Sequence, residues 1–260
     1  MGRVSGKSII VTGSGSGIGE GFAKVLAAEG AKVGVCDLNT AAAERVAKAI
    51  NDKGGQAIAM TADVSNREQV RAAFKKFVDW ADSLDVIFNN AGFNKPMHLM
   101  EVTEENWHAI MNVNGLGVLI CTQEAGKYMI AQKSGKIVNT ASIAGRQGYP
   151  AFAPYCASKF AVNALTQATA RGLAEHNITC NSFAPGVVDT PLWIDLDRDL
   201  MEMGMSERPG QATEEFSAGI LRGRAATPAD LEGMALFLAS SDSDYMTGQT
   251  IMIDGGMVLL

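Results

Sequence analysis

Three side chains within one stretch, SIAGRQGYPAFAPYCASK, have types and spacing suited to proton chemistry: Ser142, Tyr155 and Lys159. Tyr155 and Lys159, at i and i+4, fall on one face of a helix. A surface pair kept for solubility would be Glu and Lys. If the phenol and the amine are buried together, the ammonium favours the phenolate, and the tyrosine can exchange a proton nearer to neutral pH. An ordinary tyrosine titrates at about 10, so work at pH 7 to 8 asks for a drop of about two to three units, roughly 3–4 kcal/mol. A proton exchanger alone completes no reaction; it needs a cofactor and a pocket.

The cofactor signal lies near the start of the chain. TGSGSGIG (12–19) follows an apolar run and opens a helical pattern. Glycines there permit a tight turn and close backbone approach to a pyrophosphate, and the helix start adds its amide donors. Gly13, Ser16, Gly17, Ile18 and Gly19 are the expected contacts in that loop. It is not a P-loop, because no Gly-Lys-Ser/Thr closes it. Asp37, at the end of the second apolar run, is placed to accept hydrogen bonds from ribose hydroxyls and to repel a 2′-phosphate. Leu38 follows where an arginine would pair with that phosphate, and Ser14 and Ser16 put no basic side chain in the loop. These residues predict NAD rather than NADP. Asp63 is expected on the adenine amino group with Val64 against the ring. Asn90, Ala91 and Gly92 of NNAG offer small residues beside the cofactor, while Asn89 is suited to tying strands together.

The elements that must position these groups alternate. Strands are expected over 7–13, 31–37, 56–64, 84–92, 135–142, 178–186 and 248–256, and helices over 18–30, 40–53, 66–81, 104–132, 154–175 and 228–240. Alternating strand and helix with apolar strands predicts an α/β fold: one Rossmann-type doubly wound domain over 1–260, with a seven-stranded, mostly parallel sheet and helices on both faces. Residues 186–227 break the rhythm and are read as a substrate lid or loop insertion.

In this order and spacing, TGSGSGIG, Asp63, NNAG, Asn114 in NVNGLG, Ser142, YCASK, PGVVDT (185–190) and DGG (254–256) resemble the short-chain dehydrogenase/reductase family over essentially the whole chain. The resemblance implies that Tyr155 is the general acid/base, that Lys159 bonds the nicotinamide ribose and lowers the tyrosine pKa, and that Ser142 holds the substrate oxygen. It implies that Asn114 anchors a water linking Lys159 to solvent. Pro185, Gly186 and Val188 would line the nicotinamide pocket, with Thr190 near the carboxamide. Lys159 and the charge of an oxidised nicotinamide would together depress the phenol's pKa in a partly dry site. The implied reaction is hydride transfer between a secondary alcohol and NAD.

Within that family, SIAGRQGYPAFAPYCASKFAV, PGVVDTPLW and LASSDSDYMTGQTIMIDGGMVLL resemble NAD-dependent meso-2,3-butanediol (acetoin) dehydrogenases and sorbitol and other polyol dehydrogenases. The expected substrate is a small diol or polyol such as sorbitol or 2,3-butanediol. Gln147 is a candidate for its second hydroxyl, Trp193 for a cap on the pocket, and Met201, Met203 and Met205 for a closing surface. A 3-oxoacyl reductase would favour NADPH and a basic docking patch, against Asp37 and a formal net charge of −6. A non-catalytic dinucleotide sensor would be expected to lack Tyr155 or Lys159.

Composition sets the remaining bounds. With 47% hydrophobic and 19% charged residues, a full core is expected rather than disorder. No basic stripe points to nucleic acid, and no apolar run is long enough to span a membrane. The opening MGRVSGKSIIVTG carries no secretory h-region with a cleavage site. Cys36, Cys121, Cys156 and Cys180 stand singly, and His98, His108 and His176 lack metal-ligand spacing, so neither disulfides nor a metal is expected and a reducing cytoplasm is the natural setting. The family implies a homotetramer built on the helices at 104–132 and 154–175 and the last strand, with the apolar end MVLL buried at an interface.

Overall fold

The computed structural model describes residues 2–259. β1 (Ser8–Thr12) is buried along its whole length, because both of its faces are covered. Ile9 and Val11 enter one core cluster and Ile10 the other, as the two-residue side-chain period requires. α1 (Gly17–Ala28) buries Phe22, Ala23, Leu26 and Ala27, a helical stripe that packs on the first of these faces.

β2 (Lys32–Asp37), α2 (Thr40–Asn51), β3 (Gln56–Thr61), α3 (Arg67–Ala81) and β4 (Val86–Asn89) continue the alternation. Asn39 and Asn66 start α2 and α3 by accepting hydrogen bonds from helix amides that have no intrahelical partner. Next come α4 (Glu104–Met111), α5 (Gly117–Gln132), β5 (Gly135–Thr140), α6 (Ala153–Leu173) and β6 (Ile178–Pro185). α7 (Pro191–Glu202), α8 (Gln211–Ser217), α9 (Ala229–Ala239) and β7 (Thr250–Ile253) complete the order.

The seven strands run β3-β2-β1-β4-β5-β6-β7 in one sheet. All six pairings are parallel, where a mostly parallel sheet was expected. One face carries α1, α2 and α9, and the other carries α3, α5 and the C-terminal part of α6. Gly34 on β2 shows how tightly the second face is filled: a Cβ there would stand 2.7 Å from the Phe77 ring.

Two expectations gain detail. The region 104–132 is helical throughout, but a π-helical turn at Asn112–Leu116 stands between α4 and α5. Segment 186–227 contains two helices, α7 and α8, and its aromatic and aliphatic side chains form a separate small core with residues around the start of α6. Of the apolar end MVLL, Val258 is buried and Leu259 exposed, and Leu260 lies outside the described residues. All four cysteines are free and buried, and no helix among the described residues is long and apolar enough to cross a membrane.

Candidate active site

The chain runs outward from β1 to β3, then returns to place β4 on the other side of β1. This reversal opens a crevice beyond the carboxyl ends of β1 and β4, the usual ligand position in open α/β sheets. Two loops meet there. Asn90 Nδ2 donates to Thr12 O at 3.1 Å and Gly13 O at 3.2 Å, while Thr12 Oγ1 accepts from the amides of Asn90 and Ala91. Gly13, at φ +62°, lies so close to the second loop that a Cβ would approach Ala91 Cα to 2.7 Å. Asn89 Nδ2 donates to Asn139 Oδ1 at 2.8 Å, tying β4 to β5 as its position suggested.

A cleft of about 510 Å³ occupies this crevice, within the size range of small-ligand sites. It is lined by Gly13, Ser16, Gly17, Ile18, Asp37, Leu38, Asp63, Val64, Asn90, Ala91 and Gly92 at one end. Ser142, Tyr155, Lys159, Pro185, Gly186, Val188, Thr190 and Trp193 line it further along. Residues separated by most of the chain are therefore gathered into one cavity. Gly17, at φ +56° with Thr190 facing it, and the bare loop at Gly13 leave backbone exposed to the cleft as a pyrophosphate requires.

Asp37 has two structural duties in addition to facing the cleft. Its Oδ2 accepts from Gly15 N at 2.8 Å and its Oδ1 from Asn39 N at 2.9 Å, which fixes the carboxylate against the glycine loop. Asp63 Oδ1 accepts from the amide and hydroxyl of Ser65, and this local turn orients the carboxylate. Leu38 is exposed at the rim.

At the other end, the N-terminal turns of α6 carry Tyr155 and Lys159. Lys159 Nζ stands 5.5 Å from the Tyr155 ring centroid and donates to Thr140 O at 2.7 Å. Ser142 Oγ accepts from Ala144 N at 3.1 Å, which holds the hydroxyl at the end of β5. The expected depression of the phenol's pKa is not what the chain alone produces. Burial pushes Tyr155 up to about 12, with the Ser142 hydroxyl acting in the lowering direction. Burial also brings Lys159 down to about 8. The lysine is drawn to a carbonyl and lies over the ring, so desolvation of the phenol dominates.

Asn114 is fully buried in the π-helical turn and does not line the cleft. Its Oδ1 accepts from Phe93 N at 3.0 Å, and its Nδ2 donates to Phe93 O at 2.9 Å and to Ser158 Oγ at 3.1 Å. The side chain thus locks the loop after β4 to α6: both amide hydrogens are used, and Oδ1 keeps one lone pair. Gly19 is also outside the cleft; it is buried in α1 against the Gly13 carbonyl, where a Cβ would collide.

Gln147, a candidate for the second substrate hydroxyl, is not brought to the cleft wall. It is exposed, lies outside the cleft lining, and donates to Tyr149 OH at 2.6 Å. None of Met201, Met203 and Met205 lines the cleft; Met203 packs against the small core with Trp193, Leu196 and Leu200, and Met205 is exposed. Trp193 does line it, and also packs on Phe216 of α8 with ring centroids 5.4 Å apart.

Several contributors carried no sequence signal. Phe216 is the hub of an aromatic group with Tyr149, Phe152 and Trp193. Phe93 and Leu192 line the cleft as ordinary apolar residues, and Thr140 contributes a main-chain carbonyl that sequence identity cannot specify. Lys95 pairs with the buried Asp199 of α7 at 2.9 Å, joining the loop after β4 to segment 186–227. Among the described residues, no group of metal-ligating side chains is present.

A switch-point crevice with a glycine loop at one end and a Tyr–Lys pair at the other defines a dinucleotide-dependent dehydrogenase. The sequence agrees: a family model described as short chain dehydrogenase matches residues 7–200, and the chain belongs to the short-chain dehydrogenase family. It is 39% identical over 253 residues to the (S)-acetoin-forming diacetyl reductase of Staphylococcus epidermidis, covering 97% of this chain and 98% of that protein. It is 38% identical over 256 residues to the galactitol 2-dehydrogenase of Agrobacterium fabrum, covering 98% of both. Its fold is similar to NAD+-bound xylitol dehydrogenase, with a TM-score of 0.93 and 30% identity over 98% of this chain and 100% of that one. It is also similar to a gluconate 5-dehydrogenase from Burkholderia cenocepacia in complex with NADP and tartrate, with a TM-score of 0.89 and 35% identity over 98% and 96% of the chains.

Proposed function

We propose that this dehydrogenase interconverts a secondary alcohol of a small diol or polyol and its ketone, with NAD as the partner. The observation that carries the reading is the gathering of Ser142, Tyr155 and Lys159 into one cleft with the glycine loop and Asp37. When bound, the nicotinamide supplies acceptance and return of the hydride. The chain supplies geometry and protonation. Tyr155 takes the alcohol proton in oxidation and returns it in reduction. Ser142 donates its hydroxyl hydrogen to the same substrate oxygen as charge develops there, while its own oxygen stays fixed by Ala144 N.

Lys159 keeps one donor on Thr140 O and has others for the ribose hydroxyls. Asn114 positions this group by fixing α6 and the Phe93 loop, and it would anchor the water that links Lys159 to solvent. Pro185, Gly186, Val188 and Thr190 form the wall against which the nicotinamide would lie, and Val64 and Asp63 would receive the adenine. Each Asp37 oxygen already accepts one amide and retains lone-pair capacity for a ribose hydroxyl, whereas a 2′-phosphate would meet like charge.

The diol or polyol class is supported by the names of the relatives and by a substrate end that combines Ser142 and Tyr155 with Trp193, Leu192 and Phe93. A panel of sorbitol, galactitol, meso-2,3-butanediol and acetoin, each run with NAD(H) and NADP(H), tests both parts. Turnover of at least one member with a higher kcat/KM for NAD(H) is expected. Inactivity on all of them discards the substrate class, and preference for NADP(H) discards the cofactor assignment.

A further inference from the structure

The glycine loop is gripped from two sides. Gly15 N donates to Asp37 Oδ2 at 2.8 Å, and Gly15 O accepts from Arg45 Nη2 at 2.7 Å. A guanidinium therefore stands one residue away from the carboxylate assigned to the ribose. Sequence order conceals it, because Arg45 lies within α2 and not in the loop or directly after β2.

The guanidinium is already engaged. Arg45 forms a fork with Glu20 of α1, Nη1 to Oε1 at 3.0 Å and Nη2 to Oε2 at 2.7 Å. Glu20 also pairs with Lys24 at 2.5 Å. The Glu20 side chain is 17% exposed against 56% for Arg45, so the acid is the anchored partner and the arginine the adaptable one. The hydrogen bond to Arg45 holds the Glu20 carboxyl below its ordinary range, and the same bond raises Arg45.

Planar guanidinium groups are well matched to phosphate oxygens, and a 2′-phosphate is the group that separates NADP from NAD. We infer that Glu20 is a cofactor-specificity residue: it occupies Arg45 and so withholds from the ribose 2′ position the cation that a 2′-phosphate would need. Asp37 acts on the same choice by repulsion and Glu20 by occupation. The inference rests on the NAD reading above and extends it to two residues outside the cleft lining.

The test is direct binding of two probes, 2′,5′-ADP and 5′-AMP, by titration calorimetry. The variants are D37N, E20Q, D37N/E20Q and D37N/E20Q/R45Q beside the unaltered protein. With repulsion removed in both, D37N/E20Q binds 2′,5′-ADP about tenfold more tightly than D37N does, a gain of about 1.4 kcal/mol. Adding R45Q removes the gain, and raising salt to about 0.5 M shrinks it. Binding of 5′-AMP stays within about twofold across D37N and D37N/E20Q, consistent with an effect specific to the phosphate.

Equal 2′,5′-ADP affinity in D37N and D37N/E20Q overturns the inference, as does a gain that survives R45Q. A purely structural clasp between α1 and α2 would lower the melting temperature of E20Q and weaken both probes together, and that result overturns it too. If the unaltered protein already prefers 2′,5′-ADP to 5′-AMP, it is the NAD reading that falls.

Discussion

The two ends of the cleft are built by different means. At the dinucleotide end, main chain is fixed by buried or half-buried side chains: Asn90 on Thr12 and Gly13, Asp37 on Gly15, Ser14 Oγ on Val11 O at 2.7 Å. At the substrate end, side chains are packed on side chains. Phe216 lies 5.7 Å from Phe152 and 5.4 Å from Trp193, and α7 is held by two buried carboxylates. Asp197 receives the amides of Gly210 and Ala212, and Asp199 receives Lys95. Backbone geometry suits a cofactor whose pyrophosphate is always the same, whereas side chains packed on side chains can be exchanged to suit different alcohols. Tyr155 sits at the seam, lining the cleft and packing against the aromatic group.

The largest expected effect is therefore at the seam. Tyr155→Phe is expected to lower kcat by roughly 10²- to 10⁴-fold, with NADH affinity unchanged because neither end is disturbed. Near-normal turnover would remove Tyr155 from the mechanism. The same variant gives a pH test. The folded phenol's pKa lies above its ordinary value, so its contribution to stability is fully present below about pH 10 and is lost as pH rises towards 12. Chemical denaturation of the free protein should show the wild type losing stability relative to the variant over that interval and not below it.

An intermediate effect is expected at the dinucleotide end. Gly13→Ala places a Cβ 2.7 Å from Ala91 Cα at a positive φ. A cost on the order of 1–3 kcal/mol follows from the strain, visible as a fall of several degrees in melting temperature. Nucleotide affinity should fall with it, by about tenfold or more, while the alcohol KM at saturating NAD stays near wild type. A variant that raised only the alcohol KM would break the division between the ends.

The smallest effect belongs to the substrate end. Phe216→Ala removes one aromatic partner from Trp193, worth about 1 kcal/mol, and should raise the alcohol KM roughly three- to tenfold. NADH affinity, read by fluorescence titration, should change less than about twofold. Equal changes in both constants would mean that the aromatic group supports the whole cleft.

Much of the site was legible because short motifs report backbone requirements. TGSGSGIG and NNAG lie next to strand ends in the sequence, and the parallel alternation then forces those ends to one side of the sheet. Tyr155 and Lys159 needed only helical periodicity. Gln147 is less legible, because sequence proximity to Ser142 does not report direction: its amide donates to Tyr149 OH, and it is not among the cleft-lining residues. Arg45 was invisible for the converse reason, since α2 folds back over a loop about thirty residues earlier in the chain.

The sequence by itself determined the α/β alternation, the glycine loop and the helical spacing of Tyr155 and Lys159, because strand period, helix period and glycine placement are local properties. Only the tertiary structure decided the state of the phenol. Its titration depends on how many atoms exclude water around it and on where Lys159 directs its proton, and both are set by residues far away in the chain. The same holds for the aromatic group on Phe216 and the Glu20–Arg45 fork, which exist only once separate elements have packed.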